Sequence, residues 1–428
     1  MPTNPTLPPA QGHSSAALTD PVLMREAGPE LLSLALMEAR NHTLRLFSQF
    51  EKTSGGDENL TPEPLWTLGR IGWFQEWWIG RNLQRALGPH GAALQSRLAS
   101  IEPEADRWWQ APPDALARSA LAAPDVASCR AYLLDTLEST LELLEKTARG
   151  GPPPTDDALY FYRLCLFHED MQAEVLTRGL QTLGVRIDKA LHTALTPPPL
   201  FQREPLLVPA CVWQQGSATG EGGFTFDNES PPRAVSVPEF EIDAQPVTWS
   251  QYVEFVGDGG YDDATFWSPE GWAWLQAQAA GEGRRGPRHV EQIGVASGAV
   301  MQTRFGLATR MLGNQPALHV RGWEAEAWCR WAGRRLPTEV EWEVAAHTAV
   351  RRGFRSGDVW EWTGTTFRAY PGFEPGPWAE YSQPAFGSHK VLRGGSFATR
   401  GRLKHPKFRA FELPGCDDIF AGFRSCAL

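Results

Sequence analysis

The first half of the chain repeats apolar residues at the spacing of an α-helix. Four such stretches lie between residues 29 and 195, and breaks rich in Gly and Pro separate them, as at 54–57 and 150–154. The predicted helices cover residues 29–50, 65–87, 125–148 and 156–183. Four long amphipathic helices predict an up-down bundle, a fold that builds metal sites in its interior.

The pattern changes at Pro197–Pro199, where we place the domain boundary. Beyond it Gly, Pro and Trp are frequent, apolar runs are short, and three short helices are predicted, near 248–256, 323–332 and 339–346. This pattern predicts a mixed α+β domain with much irregular structure. The predicted organisation is a mobile tail (1–28), a four-helix bundle (29–196) and an α+β domain (205–428).

The composition is that of a globular protein, with 42% hydrophobic and 21% charged residues among 428. The formal net charge of −10 argues against nucleic-acid binding, which needs a basic face. No run approaches the roughly 20 apolar residues of a membrane span, and the first thirty residues lack a signal-peptide pattern. The six cysteines have no CxxC spacing, so we expect reduced thiols and a cytoplasmic protein.

The 18 tryptophans occur mostly in clusters and allow two interpretations. One is the packing of large rings in a loop-rich domain. The other is an aromatic-lined pocket that binds a cationic ligand through cation–π contacts. Composition leaves both open.

Several motifs follow one another in the second domain. They lie at 246–249, 327–339, 341–343, 358–363, 391–397 and 420–424. In this order they resemble the sulfatase-modifying-factor (formylglycine-generating-enzyme-like, C-type-lectin-like) fold. That fold hosts several chemistries, so it does not fix a function. A formylglycine-type oxidase with a copper or thiol site is one alternative, but no suitable pair of cysteines supports it.

Two segments of the first domain resemble a more specific family. Residues 65–78 contain Gly69-Arg70-Ile71-Gly72, and residues 167–174 contain His168 followed by Gln172 and Glu174. They are similar to the Gly-His-Ile-Gly and His-x3-His-x-Glu segments of the ergothioneine and selenoneine synthases. In these nonheme-iron enzymes a DinB-type bundle precedes the second fold. The segments 73–78, 167–171, 405–409 and 417–420 look closest to the selenoneine branch.

The resemblance implies a small-molecule reaction with iron(II) and dioxygen. The family joins a selenosugar or a thiol donor to the imidazole C2 of hercynine (trimethylhistidine). Three imidazoles would hold the iron, at positions 70, 168 and 172 of this chain. Here Arg70 and Gln172 replace two of them, and His168 is the remaining ligand position. Arginine offers no lone pair and glutamine only an amide oxygen, so we expect iron to be lost or weakly bound.

The substitutions suggest how the interior is filled without a metal. We expect Arg70 to pair with Glu174, with Gln172 hydrogen-bonded beside them and His168 as a core histidine. His42 on the first helix is the alternative, a replacement ligand if it faces the bundle interior.

The resemblance also indicates substrate residues. Phe411 would face the trimethylammonium group, Glu412 would add complementary charge, and Met171 would line the same cleft. A tyrosine that supports oxygen chemistry would be Tyr370 or Tyr381.

Two functions remain open at this stage. The first is a synthase that forms C–Se or C–S bonds. The second is a metal-free pseudoenzyme that binds a hercynine-like molecule or a partner. The oligomeric state is not determined by the sequence.

Overall fold

The computed structural model describes residues 16–54, 62–91, 97–110, 124–149, 151–218, 223–281 and 285–428. Residues 1–15 of the predicted tail and residues 55–57 of the first predicted break lie outside these ranges. None of the described helices is long and apolar enough to cross a membrane. All six cysteines are free thiols.

The N-terminal region is helical, as predicted. Its helices are α1 (Pro21–Arg25), α2 (Pro29–Ser54), α3 (Pro62–Gln75), α4 (Ala105–Trp109), α5 (Val126–Arg149), α6 (Asp156–Thr182) and α7 (Lys189–Ala194). Helix α3 continues into a π-helical turn, Glu76–Gly80, so the second predicted helix ends earlier than expected. A 3₁₀ turn, Arg85–His90, follows, and it contains Pro89 and a left-handed Gly88 with φ of 54°.

Helix α6 lies at the centre of the molecule. Thr155 caps its N-terminus by accepting a hydrogen bond from the Ala158 N–H. Apolar side chains that point in different directions around the helix, such as those of Leu164, Leu166 and Phe167, are all buried. A helix that is buried all round has neighbours on every side. Here helices α2 and α3 and the Arg85–His90 turn pack against it, and the second domain contacts it through hydrogen bonds from Trp360, Thr399 and Arg402.

The second domain is α+β with small irregular sheets, as predicted. Its strands are β1 (Leu206–Val208), β2 (Cys211–Gln215), β3 (Arg233–Val237), β4 (Phe240–Ile242), β5 (Val290–Gly294), β6 (Ala299–Arg304), β7 (Leu307–Met311), β8 (Trp360–Thr366), β9 (Lys390–Arg393), β10 (Ala410–Glu412) and β11 (Ala421–Phe423). The largest sheet has the order β10-β9-β8-β11, and its β8–β11 pair is parallel. The hairpin strands β5, β6 and β7 form a second sheet.

In the described part of this domain, five helices accompany these strands. They are α8 (Trp249–Gly257), α9 (Pro269–Gly281), α10 (Gly322–Trp331), α11 (Glu339–Thr348) and α12 (Ala379–Ser382). Helices α8, α10 and α11 match the three short predicted helices, whereas α9 was not predicted. Thr338 and Glu341 form a capping box at the start of α11, with the Glu341 carboxylate accepting from the Thr338 N–H at 2.7 Å.

The prediction of a mobile tail does not hold for residues 16–28. This segment contains α1, which buries Met24 completely. Asp20 caps the helix through the N–H groups of Val22 and Leu23. Arg25 forms a two-bond ion pair with Glu229 of the second domain, at 2.7 and 2.8 Å. The composition of this segment did not indicate that it is ordered, because its order depends on a carboxylate some 200 residues away.

One face of α6 carries the polar contacts to the second domain, and we call its members the docking stripe. They are Asp170, Glu174, Arg178 and Gln181, which follow one another at spacings of four, four and three residues. Residues at these spacings lie on the same side of a helix. Each contacts the second domain, through Arg402, Trp360, Asp418 and the backbone of the β6–β7 hairpin, respectively.

Candidate functional site

A cleft of about 260 Å³ lies between α6 and the second domain. Helix α6 contributes a wall that includes Met171, Gln172, Glu174 and Arg178. The second domain contributes the facing residues, which are mostly aromatic or apolar: Trp360, Trp378, Tyr381, Leu392, Leu403, Phe408, Ala410, Phe411, Glu412 and Ile419. The cleft contains all three substrate-binding residues that the sequence predicted, Met171, Phe411 and Glu412.

The aromatic rings of the cleft are held by stacking. Trp378 precedes helix α12 and Tyr381 lies within it, and the two rings stack with their centroids 4.5 Å apart. The Tyr381 ring lies 5.1 Å from that of Phe411, and Phe367 stacks on Phe411 at 4.2 Å. These contacts fix the rings before a ligand arrives, which suits a surface that recognises a quaternary ammonium group.

The charged residue Glu174 lies on the same wall of the cleft as Gln172, one of the three predicted ligand positions. Glu174 is buried and accepts hydrogen bonds from Trp360 Nε1 at 2.8 Å, Ser396 Oγ at 2.9 Å and Thr399 Oγ1 at 2.6 Å. Three donors satisfy its carboxylate, so this residue is fixed in place as part of the docking stripe.

Arg178 is a site residue that the sequence analysis missed. Its Nη2 donates to Asp418 at 2.8 Å and lies 3.8 Å from Glu412. Burial lowers the pKa of Arg178, but the carboxylates of Asp418 and Glu412 outweigh this effect and raise it. The sequence did contain a signal for this position. Arg178 follows Met171 by seven residues on one helix, so the two residues lie on the same face.

Arg70 does not pair with Glu174, and that prediction is wrong. The guanidinium is buried and donates from Nη1 to the backbone carbonyls of Trp109 and Gln110, the latter at 2.8 Å. It lies 4.3 Å from the Trp73 ring and 3.4 Å from the exposed carboxylate of Glu380. Burial lowers the pKa of Arg70 to about 10, and Glu380 offsets this only in part.

His168 is enclosed by aromatic rings. Its imidazole stacks on Phe74 with centroids 3.7 Å apart and meets Trp378 edge-on at 5.3 Å. Burial, with a smaller contribution from Arg70, holds its pKa well below the ordinary value, so the ring is neutral at pH 7. Trp378 thereby connects His168 to the cleft.

The residues at the three expected ligand positions do not fit iron(II). Among the described residues, no group of three or more His, Cys, Asp or Glu side chains is arranged to hold a metal. Arg70 is engaged by carbonyl oxygens and has no lone pair to donate. Gln172 does line the cleft one turn after His168, but it supplies only an amide oxygen.

His42 does not replace a lost ligand. Burial, together with the charges of Arg400, Arg402 and Arg45, lowers its pKa to about 4, against the opposing effect of Glu38. A dication at this position would face several arginines. Of the charges that act on His42, those of Arg400 and Arg402 belong to the second domain.

The two candidate tyrosines have different surroundings. Tyr381 lines the cleft, whereas Tyr370 is not among its lining residues. The Tyr370 ring is covered by the guanidinium groups of Arg409 at 4.1 Å and Arg233 at 4.6 Å. Burial raises the pKa of both hydroxyls. Position makes Tyr381 the candidate that can contact a ligand.

Comparison with known proteins agrees with this architecture. Residues 198–355 and 353–427 match the family of the sulfatase-modifying factor enzyme 1-like domain. A hercynine oxygenase of Mycolicibacterium smegmatis is 31% identical over 92% of this chain and 98% of its own length. The hercynine oxygenase of Mycobacterium tuberculosis is 30% identical with the same coverage of both chains.

A formylglycine-generating enzyme of Streptomyces coelicolor is 27% identical over 46% of this chain. The likeness to hercynine oxygenases covers both domains, whereas this one covers less than half of the chain. The chain belongs to the ergothioneine-synthase-like family of hercynine oxygenases. In this chain a helical region precedes the sulfatase-modifying factor domain.

Proposed function

We propose that this protein binds hercynine, or a closely similar trimethylammonium amino acid, in the interdomain cleft as part of an ergothioneine-type pathway. The observation that carries the proposal is the stacked aromatic wall of Trp378, Tyr381 and Phe411 beside the carboxylate of Glu412. Aromatic faces and an adjacent anion together attract a quaternary ammonium group. The names of the relatives, hercynine oxygenases, support the same ligand.

The reaction we propose is the joining of a thiol or selenosugar donor to the imidazole C2 of this ligand. A carbon–chalcogen bond replaces the C2–H and chalcogen–H bonds, and dioxygen takes up the two electrons and two protons released. Similarity along almost the whole of a relative's length favours this function. Tyr381 and the aromatic wall would position the ring and exclude water. The ligand positions do not fit iron(II), so no step is assigned to a metal. The free cysteines are consistent with a cytoplasmic protein.

A second candidate is a metal-free protein that binds the hercynine-like ligand without turnover. Arg70 and Gln172, at two of the three ligand positions, favour it. The two candidates share the ligand and differ in turnover, so one experiment tests the shared ligand and a second one separates the candidates.

The binding experiment is titration calorimetry with hercynine. Phe411→Leu keeps an apolar side chain but removes the aromatic face, and we expect about fivefold weaker binding from the loss of a cation–π contact of about 1 kcal/mol. Phe373→Leu is the matched control, because Phe373 packs on Phe386 and is not among the cleft residues. Absence of binding by the wild-type protein would refute the proposal.

The metal experiment compares the wild-type protein with Arg70→His/Gln172→His, which places three imidazoles at the expected positions. We expect the double variant to bind Co²⁺, read from its visible absorption, at least 100-fold more tightly than wild type. One equivalent of tightly bound iron(II) in the wild-type protein, with turnover of hercynine, would rule out the second candidate.

A further inference from the structure

The cleft holds two opposite charges side by side at one end. Arg178 Nη2 lies 3.8 Å from Glu412 Oε1, and their side chains are 23% and 25% exposed. Both groups therefore reach the open space of the cleft. Of the described residues that line the cleft, Arg178 alone carries a cationic side chain.

Asp418 leaves part of the Arg178 guanidinium available. The hydrogen bond to Asp418 uses Nη2, and Cys416 Sγ donates to the same carboxylate at 2.9 Å. An arginine has five N–H donors in a fixed fork. Within the described part of the chain, the polar contacts of Arg178 involve Nη2 alone. Asp418 acts as a positioning residue that fixes the fork beside Glu412.

This arrangement is complementary to one particular chemical group. An α-amino-acid betaine carries a quaternary ammonium and a carboxylate on the same carbon atom. The carboxylate matches the guanidinium fork, which binds carboxylates by parallel hydrogen bonds. The ammonium matches Glu412 and the neighbouring ring of Phe411, which attracts cations by its face.

We propose that Arg178 and Glu412 together bind the zwitterionic head group of the ligand and make the cleft selective for α-carboxylates. This inference rests on the proposed function and adds the group that is recognised and its orientation. Arg178 binds the carboxylate, and Glu412 with Phe411 binds the ammonium.

The helix sets the direction of the rest of the ligand. Six residues separate Gln172 from Arg178, which is about 9 Å along the axis of α6. A head group at Arg178 thus directs the imidazole ring towards Gln172 and Trp378, the end of the cleft where His168 lies. The reacting end and the recognised end of the ligand are separated along one helix.

The experiment measures dissociation constants for hercynine and for its decarboxylated analogue, the trimethylammonium-ethyl imidazole. We expect wild type to bind hercynine about 10–100-fold more tightly than the analogue. This is the contribution expected from hydrogen bonds to a charged group. Arg178→Met abolishes the preference, and Arg178→Lys restores part of it. Glu412→Gln weakens both ligands together, because both carry the ammonium. The comparison of ligands on the wild-type protein does not depend on any variant folding.

Arg288→Met is the matched control. It removes an arginine–aspartate pair of the same 2.8 Å length at the adjacent Asp417, and Arg288 is not among the cleft residues. Its preference for hercynine remains that of wild type. Equal binding of both ligands by wild type, or an unchanged preference in Arg178→Met, overturns this inference while hercynine binding stands. Absence of binding of either ligand instead refutes the proposed function itself.

Discussion

Arg402 and Arg70 are both buried near the boundary between the domains, but their surroundings differ. Arg402 donates from Nε and Nη2 to the buried Asp170 at 2.6 and 2.7 Å, and from Nη1 to Glu38 at 2.9 Å. Burial lowers its pKa, and these two carboxylates more than reverse the effect. Arg70 has backbone carbonyls and the exposed Glu380 as partners, and its pKa falls to about 10.

The two arginines therefore differ in how completely the surrounding residues compensate their buried charge. A buried charge is costly unless a partner of opposite charge and further hydrogen bonds compensate it. Arg402 has that compensation from two helices of the first domain. For Arg70, the described residues provide no buried carboxylate, so its charge is compensated less completely than that of Arg402.

Breaking the compensated pair should have the largest effect. Asp170→Asn or Arg402→Met leaves one buried group without its partner, and we expect the free energy of unfolding to fall by about 3–5 kcal/mol. Urea denaturation measures it. The double variant Asp170→Leu/Arg402→Met should recover most of the loss, because neither charge is then left alone. A loss below 1 kcal/mol in both single variants would contradict the comparison.

A smaller effect on stability is expected from the titration of His42, whose pKa the charges of Arg400 and Arg402 help to lower. Its folded pKa of about 4 is below the unfolded value of about 6.5, so the unfolded state binds more protons between these values. Stability must therefore fall as the pH drops from about 6.5 to 4. We expect wild type to lose about 2 kcal/mol more than His42→Gln between pH 7.5 and 4.5. His90→Gln, at a side chain 73% exposed, is the control and should behave as wild type.

Removal of Arg70 should have the smallest effect. Arg70→Met gives up the hydrogen bonds to two carbonyl oxygens and the contact with Trp73, but it also removes an incompletely paired buried charge. These terms nearly cancel, and we expect a change of about 1 kcal/mol or less in the free energy of unfolding. A loss as large as that of Arg402→Met would mean that the two arginines have equivalent roles.

Much of the fold was predictable because it is encoded locally. Apolar periodicity located the long helices, and Thr338 and Glu341 have the three-residue spacing of a capping box. The exceptions depend on distant partners. Residues 16–28 have the composition of a tail, yet Arg25 is held by Glu229, and nothing near either residue in sequence indicates the pair.

The site was predictable where one helix or one motif determines it. The predicted substrate residues Met171, Phe411 and Glu412 line the cleft, and so does Tyr381, one of the two candidate tyrosines. Their roles stay predictions. The partners of Arg70 and Glu174 were not predictable. Glu174 is bound by side chains of the second domain, and Arg70 is bound mainly by backbone carbonyl oxygens. Carbonyl oxygens carry no residue-type signal, so an arginine that they hold resembles any other arginine in the sequence.

The docking stripe on α6 has a consequence for the independence of the two domains. In sequence the second domain looks like a separate module. Its hydrogen-bond donors nevertheless have their acceptors on a helix of the first domain; the donors are Ser396, Thr399, Trp360 and Arg402. Cleavage at the predicted boundary would leave a cation and several donors uncovered on an otherwise buried surface. The two domains thus look separate in sequence but depend on each other for stability, because helix α6 is as much a part of the second domain's interior as of the helical region that contains it.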